Sequence, residues 1–195
     1  MAQKLILPIN KAKLTASMKT AAYLKKFGFV HYGIDMVSTH GDRTIYASGD
    51  GVVLATGFDN VVGNVVAVHY PAAYNRTTKK TEDVVFRYFH LEKILVAKGA
   101  KLDKDSKIGI YGNTGMLNMA NHLHIEADTD VNYPLYSPTV SRSNLIWGRS
   151  QGAHDKSMSD PLEWMHCKST APDHQTYCTA GDSYIAGGNA RVSEY

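Results

Sequence analysis

Two short stretches of the sequence carry side chains that could bind a metal ion. VHYGIDM places His31 and Asp35 four positions apart around Gly33, and NHLHIEAD places His122 and His124 two positions apart. Imidazole nitrogens and carboxylate oxygens are ligands of catalytic zinc, which takes three protein groups and keeps one position open for water. The two stretches therefore predict one site that closes when the chain folds.

The alternation of polar and apolar residues in both stretches predicts strands that present these groups on one face. Side chains two positions apart on a strand share a face. In residues 31–37 the histidine, glycine and aspartate alternate with apolar residues, and residues 122–127 alternate in the same way through Glu126. Gly33 should leave room for a metal ion or a substrate between its polar neighbours. We expect one apolar face for the core and one face for ligands.

The residue types alone leave the individual roles open. His31, Asp35 and one histidine of the second stretch would fill the ligand shell of zinc, and the remaining histidine would lie beside the bound water. Asp35 could instead orient a histidine by a hydrogen bond, and Glu126 could do the same or lie in solvent. For a histidine on its own, an ordinary core or surface role would be the better interpretation.

Two short helical segments are predicted. Residues 15–26 favour a helix capped by Thr15 or Ser17 and ended by Gly28. Near the C-terminus, SDPLEWM favours a helical turn that begins at Asp160, where a proline follows the cap. Neither segment is long enough to dominate the fold.

The remaining segments around the site predict strands. TIYASGDGVVLATG, NVVAVHYP, DVVFRYFHL, SKIGIYGNTG and NHLHIEAD are rich in β-branched and aromatic residues and are bounded by turn signals. Pro71 should end the second of them, and the polar AAYNRTTKKTE should form a hairpin loop before the third. We therefore expect a mostly β fold, with an antiparallel sheet, few short helices and a cleft on one sheet face.

Length and composition favour one globular domain with a tail. The chain has 195 residues, of which 44% are hydrophobic and 20% charged. We expect the domain over residues 1–166 and a C-terminal tail or linker over residues 167–195. Cys167 and Cys178 of this tail could pair in an oxidising compartment or stay free. The sequence does not indicate an oligomeric state.

The charge pattern favours neither a nucleic-acid partner nor a membrane span. The formal net charge is only +3, and no basic run is interleaved with aromatic residues. No apolar run approaches the length that crosses a membrane. The N-terminus, MAQKLILPINKAKL, lacks the apolar region and cleavage site of a secretory signal peptide.

Several motifs also follow one another in a particular order. HYGID comes first, then YFHLEKILVAKGAKLDKDSKIGIYGNTG, then HLHIE. In this order and spacing they resemble the His-x-x-x-Asp motif, the long middle signature and the His-x-His motif of the M23 zinc metallopeptidases, the lysostaphin-like or LytM-type family. The likeness covers residues 28–127 and extends weakly to DPLEWM. It implies the family's fold, a duplicated hybrid motif of β-strands.

The resemblance implies a role for each of five residues. It implies that His31, Asp35 and His124 bind Zn²⁺, and that His122 serves catalysis with His90 of YFHL as its companion. Strand alternation supports His90, because it would share a face with residues 84, 86 and 88 and could point into a cleft. His122 and His90 would move protons and stabilise the oxyanion.

The resemblance also implies an activity and a place of action. The chain would be a zinc-dependent endopeptidase that hydrolyses peptide bonds in peptidoglycan stem peptides or cross-bridges, at the bacterial cell wall in the extracellular space or the periplasm. Without a visible signal peptide, it would be a phage-type lysin, a virion-associated enzyme or a chain lacking its leader. Tyr133, Tyr136 and the 129–144 loop are candidates to wall the substrate groove, although tyrosines in such a loop more often serve in packing. Asn121, where the family often has proline, would affect specificity.

Two functions of other classes remain compatible with the sequence. A catalytically inactive, metal-free wall-binding or activator protein could share the scaffold, although such proteins usually lack one or more of the five polar positions. A phosphoryl-carrier domain of the sugar-phosphotransferase type also uses histidines, but it leaves the spacing of Asp35 unexplained. The other residues with polar side chains that could act are expected to have structural or solvated roles: His40, His69, His154, His166, His174, Asn113 and Thr114.

Overall fold

A computed structural model gives the fold of the chain. It describes residues 1–10, 12–39, 41–133, 135–137, 147–148, 156–165 and 184–185. The strands are β1 (Ala12–Ala16), β2 (Ile34–Ser38), β3 (Thr44–Tyr46), β4 (Gly51–Asp59), β5 (Gly63–Tyr74), β6 (Thr81–Ile94), β7 (Lys101–Leu102), β8 (Lys107–Tyr111), β9 (Leu123–Asp128), β10 (Tyr136–Ser137), β11 (Trp147–Gly148), β12 (Met158–Ser159) and β13 (Tyr184–Ile185). Helix α1 covers Ala21–Phe27, and a 3-10 helix covers Pro161–Glu163.

One large sheet organises the described residues. Its strands lie in the order β13-β1-β2-β9-β6-β5-β4-β7, with β12 paired to β9 and with β8 paired to both β6 and β3. Every pairing in this sheet is antiparallel. The predicted fold class, mostly antiparallel β with few short helices, is confirmed. β2, β9 and β6 are neighbours, so the two predicted ligand stretches lie side by side.

The main core lies on one face of this sheet. Alternate residues of the long central strands enter it, including Val66 and Val68 of β5 and Phe86 and Tyr88 of β6, all without exposed surface. Burying one such side chain fully stabilises the fold by about 1.5–3 kcal/mol. β2 and β9 add their apolar alternates to the same core. The core therefore fixes which side chains of these strands are left for the opposite face.

Helix α1 confirms the predicted stop and corrects the predicted start. It begins at Ala21, with Thr20 as the cap whose side chain accepts a hydrogen bond from the backbone of Tyr23, and it ends at Gly28 with φ of 81°. Residues 15 and 16, which the prediction placed in the helix, belong instead to β1. The reason is that Ala12, Leu14 and Ala16 are buried in alternation against β2, and this packing outweighs their helix propensity.

Two predicted strand limits are also wrong. β2 begins only at Ile34, so His31 and Gly33 precede the strand instead of lying within it. β5 continues past Pro71 to Tyr74, with a shift in register there and a positive φ of 49° at Ala72. A proline is tolerated in a strand at such a bulge because its missing N–H is not needed for pairing.

Other expectations are confirmed, and some fall outside the described residues. β5 and β6 form the predicted hairpin. Asp160 caps the 3-10 helix through the backbone N–H of Leu162 at 2.9 Å, as predicted for SDPLEWM. The division into a domain over 1–166 and a tail over 167–195 stays a prediction, because the structure describes only residues 184–185 of that tail. Within the described residues, no helix has the length and apolar character needed to cross a membrane.

Candidate functional site

The pairing of β2 with β9 assembles the centre of the site. Asp35 lies directly opposite His124 in the antiparallel register, and His31 comes from the segment just before β2. The Asp35 Oδ1 atom is 2.9 Å from His124 Nδ1 and 3.1 Å from His31 Nε2, and the two nitrogens are 3.0 Å apart. Residues that are 93 positions apart in the sequence thus present three donor atoms to one point.

The three donor atoms need a positive charge between them. Each of the three residues is at least nine-tenths buried, so little water solvates the carboxylate. Burial alone would lower the pKa of His124, but its hydrogen bond to Asp35 and the nearby Glu126 carboxylate raise that pKa to about 9. Burial would raise the pKa of Asp35, but His31 and His124 hold it well below its ordinary value. The raised pKa of His124 favours a proton at this point, and a divalent metal would take the place of that proton.

The orientation of His31 is set from outside the cluster. Its Nδ1 donates a hydrogen bond to the carbonyl oxygen of Ser17 at 2.9 Å, just after β1. A carbonyl only accepts, so the neutral ring carries its proton on Nδ1 and its lone pair on Nε2, the atom that faces Asp35. The Tyr23 ring of α1 stacks on His31 with centroids 4.3 Å apart and planes 17° apart. These contacts hold the ring as a metal ligand would have to be held.

Close packing requires a glycine at position 33. The predicted reason, room for a metal ion or a substrate, is wrong. A Cβ atom at this position would lie 2.2 Å from the carbonyl oxygen of Ile125 and 2.7 Å from Nε2 of His124. The space beside Gly33 is therefore taken by the His124 ring and by the backbone of β9. It is not a vacant space for a metal ion or a substrate, as the sequence had suggested.

Replacing Gly33 with alanine should disturb the cluster through this contact. The new methyl group would push the His124 ring and β9 away from β2, so we expect weaker metal binding and a fall of about 1–3 kcal/mol in stability. Gly109→Ala is the matched control, since its Cβ would lie 2.5 Å from the carbonyl of Lys93, away from the cluster. Thermal unfolding and metal titration should show a loss of stability in both and a loss of affinity in Gly33→Ala alone. Equal metal affinities in Gly33→Ala and Gly109→Ala would contradict this role of Gly33.

Two more histidines lie beside the cluster. The His90 and His122 rings have centroids 4.9 Å apart, and His122 Nε2 is 3.7 Å from Asp35 Oδ1. His122 Nδ1 donates to the carbonyl of Ala120 at 2.8 Å, and His90 Nδ1 donates to the carbonyl of Thr114 at 2.9 Å. Both neutral rings therefore keep the lone pair on Nε2. Burial, with His124 and His122 nearby, lowers the pKa of His90 to about 3.

His90 reaches the site by a different route from the predicted one. Val84, Phe86 and Tyr88, with which it was expected to share a face, point into the main core. Between Tyr88 and Leu91 the strand holds two residues, whereas β5 holds only one between their pairing partners. His90 takes a φ of 63° at this bulge, and so its ring turns towards the face that carries His124. His90 therefore lies beside the cluster, but not on the strand face that alternation predicts.

A cleft of about 790 Å³ opens over these side chains. One wall is formed by α1 and the segment that follows it, where Phe27 and Phe29 are exposed by 48% and 41%. The facing wall is formed by residues 116–121, where Met116 and Leu117 are exposed by 47% and 89%. An extended chain with small or apolar side chains suits such a cleft.

The predicted walls differ from these. Within the described residues the cleft lining does not include Tyr133, which is half exposed elsewhere. The Tyr136 side chain and most of the 129–144 loop lie outside the described residues, so their part in the groove stays a prediction. Asn121 does line the cleft, as expected for a residue that affects specificity.

The other histidines and the turn residues have ordinary partners where they are described. His69 Nε2 lies 3.0 Å from Asp83 Oδ2 on the β5–β6 hairpin, away from the cleft. Thr114 has its hydroxyl bonded to the carbonyl of Leu91. His40, His154, His166 and His174, and both cysteines, lie outside the described residues.

Two residues that shape the site are not predicted from the sequence. Tyr23 lies in a predicted helix, and its ring stacks on His31. Arg87 is fully buried and bonded to Glu126 and Asp128. The sequence does hold a sign of the buried ion pair, because Arg87 lies inside the apolar run VVFRYF. A charge in a buried strand needs a partner of opposite sign nearby.

The described residues thus form an antiparallel β protein with histidines and an aspartate gathered at the floor of a cleft, in an arrangement whose donor atoms could hold a metal ion. The sequence profile of peptidase family M23 matches residues 29–133, more than half of the chain and all five of the side chains described above. The chain belongs to peptidase family M23.

Individual relatives cover only part of the chain. It is 38% identical to the peptidoglycan DD-endopeptidase ShyA of Vibrio cholerae over 96 residues, which are 49% of this chain and 20% of that protein. It is 36% identical to an uncharacterized metalloprotease of Buchnera aphidicola over 96 residues, 49% of this chain and 22% of that one. The solved structure of a zinc-containing peptidase from Vibrio cholerae aligns with a TM-score of 0.50 and 27% identity, over 65% of this chain and 37% of that chain. The chain spans about a fifth of the length of these curated relatives.

Proposed function

We propose that the chain is a zinc-dependent endopeptidase that hydrolyses peptide bonds in peptidoglycan stem peptides or cross-bridges. The observation that carries this proposal is the convergence of His31, Asp35 and His124 on one point, beside His122 and His90, at the floor of a cleft in an M23 protein. The sequence likeness to a peptidoglycan DD-endopeptidase supports the choice of substrate. Such an enzyme acts at the bacterial cell wall, in the periplasm or outside the cell.

The donor set fits a zinc ion. Donors that bind tetrahedral zinc at 2.0–2.1 Å stand about 3.3 Å apart. His31 Nε2, Asp35 Oδ1 and His124 Nδ1 lie 2.9–3.1 Å from one another, so a small outward shift would suffice. When bound there, zinc would act as a Lewis acid and lower the pKa of a water molecule towards neutrality. Three protein ligands leave the fourth position for that water.

His122 is placed to handle protons. Its Nδ1 is committed to the carbonyl of Ala120, so its cleft-facing Nε2 can accept a proton from the attacking water and return it to the leaving amine. The His122 side chain is 18% exposed, enough to meet a substrate in the cleft. His90 lies behind it, more deeply buried, where it can steady the His122 ring and keep a second nitrogen at the reacting centre.

Zinc content and hydrolysis together test the proposal. We expect about one zinc ion per chain. The protein should lower the turbidity of a cell-wall suspension, a chelator should stop this lysis, and added zinc should restore it. Mass spectrometry of digested muropeptides would identify the bond that is cut. A chain that binds no zinc, or that binds zinc and walls without releasing any peptide product, would contradict the proposal. The second of these results would favour a wall-binding or activator protein.

A further inference from the structure

A network of buried charges lies against the candidate metal centre. Arg87 of β6 donates from Nε to Glu126 Oε2 at 2.8 Å and from Nη2 to Asp128 Oδ2 at 2.9 Å, both across the pairing with β9. None of the three side chains has exposed surface. Taking charges out of water costs several kcal/mol each, and apolar residues of similar volume often give equal or greater stability. Stability alone is therefore a poor reason for charges at these positions.

Glu126 connects this network to His124. The two residues lie two positions apart on β9 and share a face, and Glu126 Oε1 is 3.8 Å from His124 Nε2. That separation exceeds a hydrogen bond, so the contact in this structure is electrostatic. Ser137 donates to the same oxygen at 2.8 Å and fixes its position. His124 Nε2 is buried and has no hydrogen-bond partner among the described residues, and Glu126 is the carboxylate beside it.

Packing prevents the His124 ring from turning away from Glu126. The Phe89 ring stacks on it, with centroids 5.4 Å apart and planes 6° apart, and Gly33 abuts its edge. With Nδ1 facing Asp35, Nε2 must face the Glu126 side of the ring. A carboxylate there favours a proton on Nε2, which leaves the Nδ1 lone pair for a metal ion.

We propose that Glu126, held by Arg87, is a positioning residue for His124: it fixes the Nε2–H form of the ring and so raises the zinc affinity of Nδ1. This inference rests on the proposed zinc site. It gives the buried arginine a purpose that core packing does not. Outer partners of this kind change metal affinity by about 10- to 100-fold when removed.

Asp128 provides a matched comparison. It is as buried as Glu126 and binds the same guanidinium, but its other oxygen accepts the backbone N–H of Asp130 at 2.8 Å. Asp128 is two positions beyond Glu126 on β9, on the side away from His124. Two residues of strand span about 7 Å. Glu126→Gln and Asp128→Asn therefore each remove one charge from the same network, and only the first of them faces the ligand histidine.

Zinc affinity, measured by competition with a chelating dye, tests the proposal in the full chain. We expect Glu126→Gln to bind zinc about 10- to 100-fold more weakly than the wild type, and Asp128→Asn to bind within about threefold of it. Nitrogen NMR of the zinc-loaded proteins should show the Nε2–H of His124 protected from solvent exchange in the wild type and in Asp128→Asn, and exchanging faster in Glu126→Gln. A structural role alone would lower both melting temperatures without separating the two variants in these readouts.

A conservative variant covers the case in which Glu126→Gln does not fold. Glu126→Asp keeps a charge for Arg87 but withdraws it from His124 by one methylene, so we expect a smaller but clear loss of affinity. Wild-type zinc affinity in a folded Glu126 variant, or an equal loss in Asp128→Asn, would overturn this inference and leave the proposed function standing. A wild-type chain that binds no zinc would overturn the proposed function, and the inference with it.

Discussion

Asp35→Ala should release the metal and abolish hydrolysis. Asp35 supplies the only anionic donor of the cluster, and its Oδ1 lies within 3.1 Å of both partner nitrogens. Without it, two histidines would have to hold a dication in a buried site with no compensating negative charge among the donors. We therefore expect zinc affinity to fall by more than the roughly 100-fold that an outer partner can cost. Metal analysis after dialysis, with a muropeptide assay on the same sample, would measure both losses.

Asp83→Ala is the control for Asp35→Ala. Asp83 also pairs with a histidine, His69, at 3.0 Å, but on the exposed hairpin away from the cleft. It should keep the zinc content and the activity of the wild type. If Asp35→Ala kept stoichiometric zinc, or if Asp83→Ala lost it, the assignment of the ligands would be wrong.

His122→Ala should separate catalysis from metal binding. Its nitrogen lies 3.7 Å from Asp35 Oδ1, beside the three donor atoms rather than among them, and its ring opens to the cleft. Loss of a general acid–base group lowers turnover by about 10²- to 10⁴-fold. We expect a fall of that size in kcat for a defined muropeptide, with zinc content unchanged. Circular dichroism would confirm that the sheet is intact.

His69→Ala serves as the matched histidine variant. It removes an imidazole from the hairpin without touching the cleft, so turnover should stay at the wild-type level. A His122→Ala protein with full turnover would show that another group moves the proton. A His122→Ala protein without zinc would show that His122 belongs to the ligand shell.

The periodicity of one strand was sufficient to predict the face on which its polar side chains lie. Polar and apolar residues alternate through NHLHIEAD, and the apolar alternates are buried in the core as expected. That burial decides the face on which His124 and Glu126 lie. The pairing of β2 with β9 then places Asp35 opposite His124, which the residue types suggested but the periodicity of one strand could not establish.

The sequence could not show how backbone irregularities aim the other groups. His90 reaches the cleft through a bulge at a φ of 63°, and nothing in YFHL marks a histidine for that conformation. The close contact at Gly33 depends on where the carbonyl of Ile125 lies on the neighbouring strand. Both features are tertiary, since they depend on the partner strand rather than on the local residues.

The start of α1 shows a competition between two local signals. Thr15 and Ala16 fall within the predicted helix, but the alternate side chains of residues 12–16 cover β2, and the sheet pairing prevails. The helix therefore starts later, at Ala21. Its Tyr23 ring stacks on His31, a contact that the sequence alone does not predict.

The distance along the chain between the proposed ligands has a consequence for biosynthesis. Asp35 and His124 are 89 residues apart, and the strands β3 to β8 lie between them. During translation, which proceeds from the N-terminus, His31 and Asp35 leave the ribosome well before the strand that completes the chelate has been made. Pairing of strands so distant in sequence is also slow. The proposed zinc site is therefore completed late in folding, only after β9 has been made and has paired with β2.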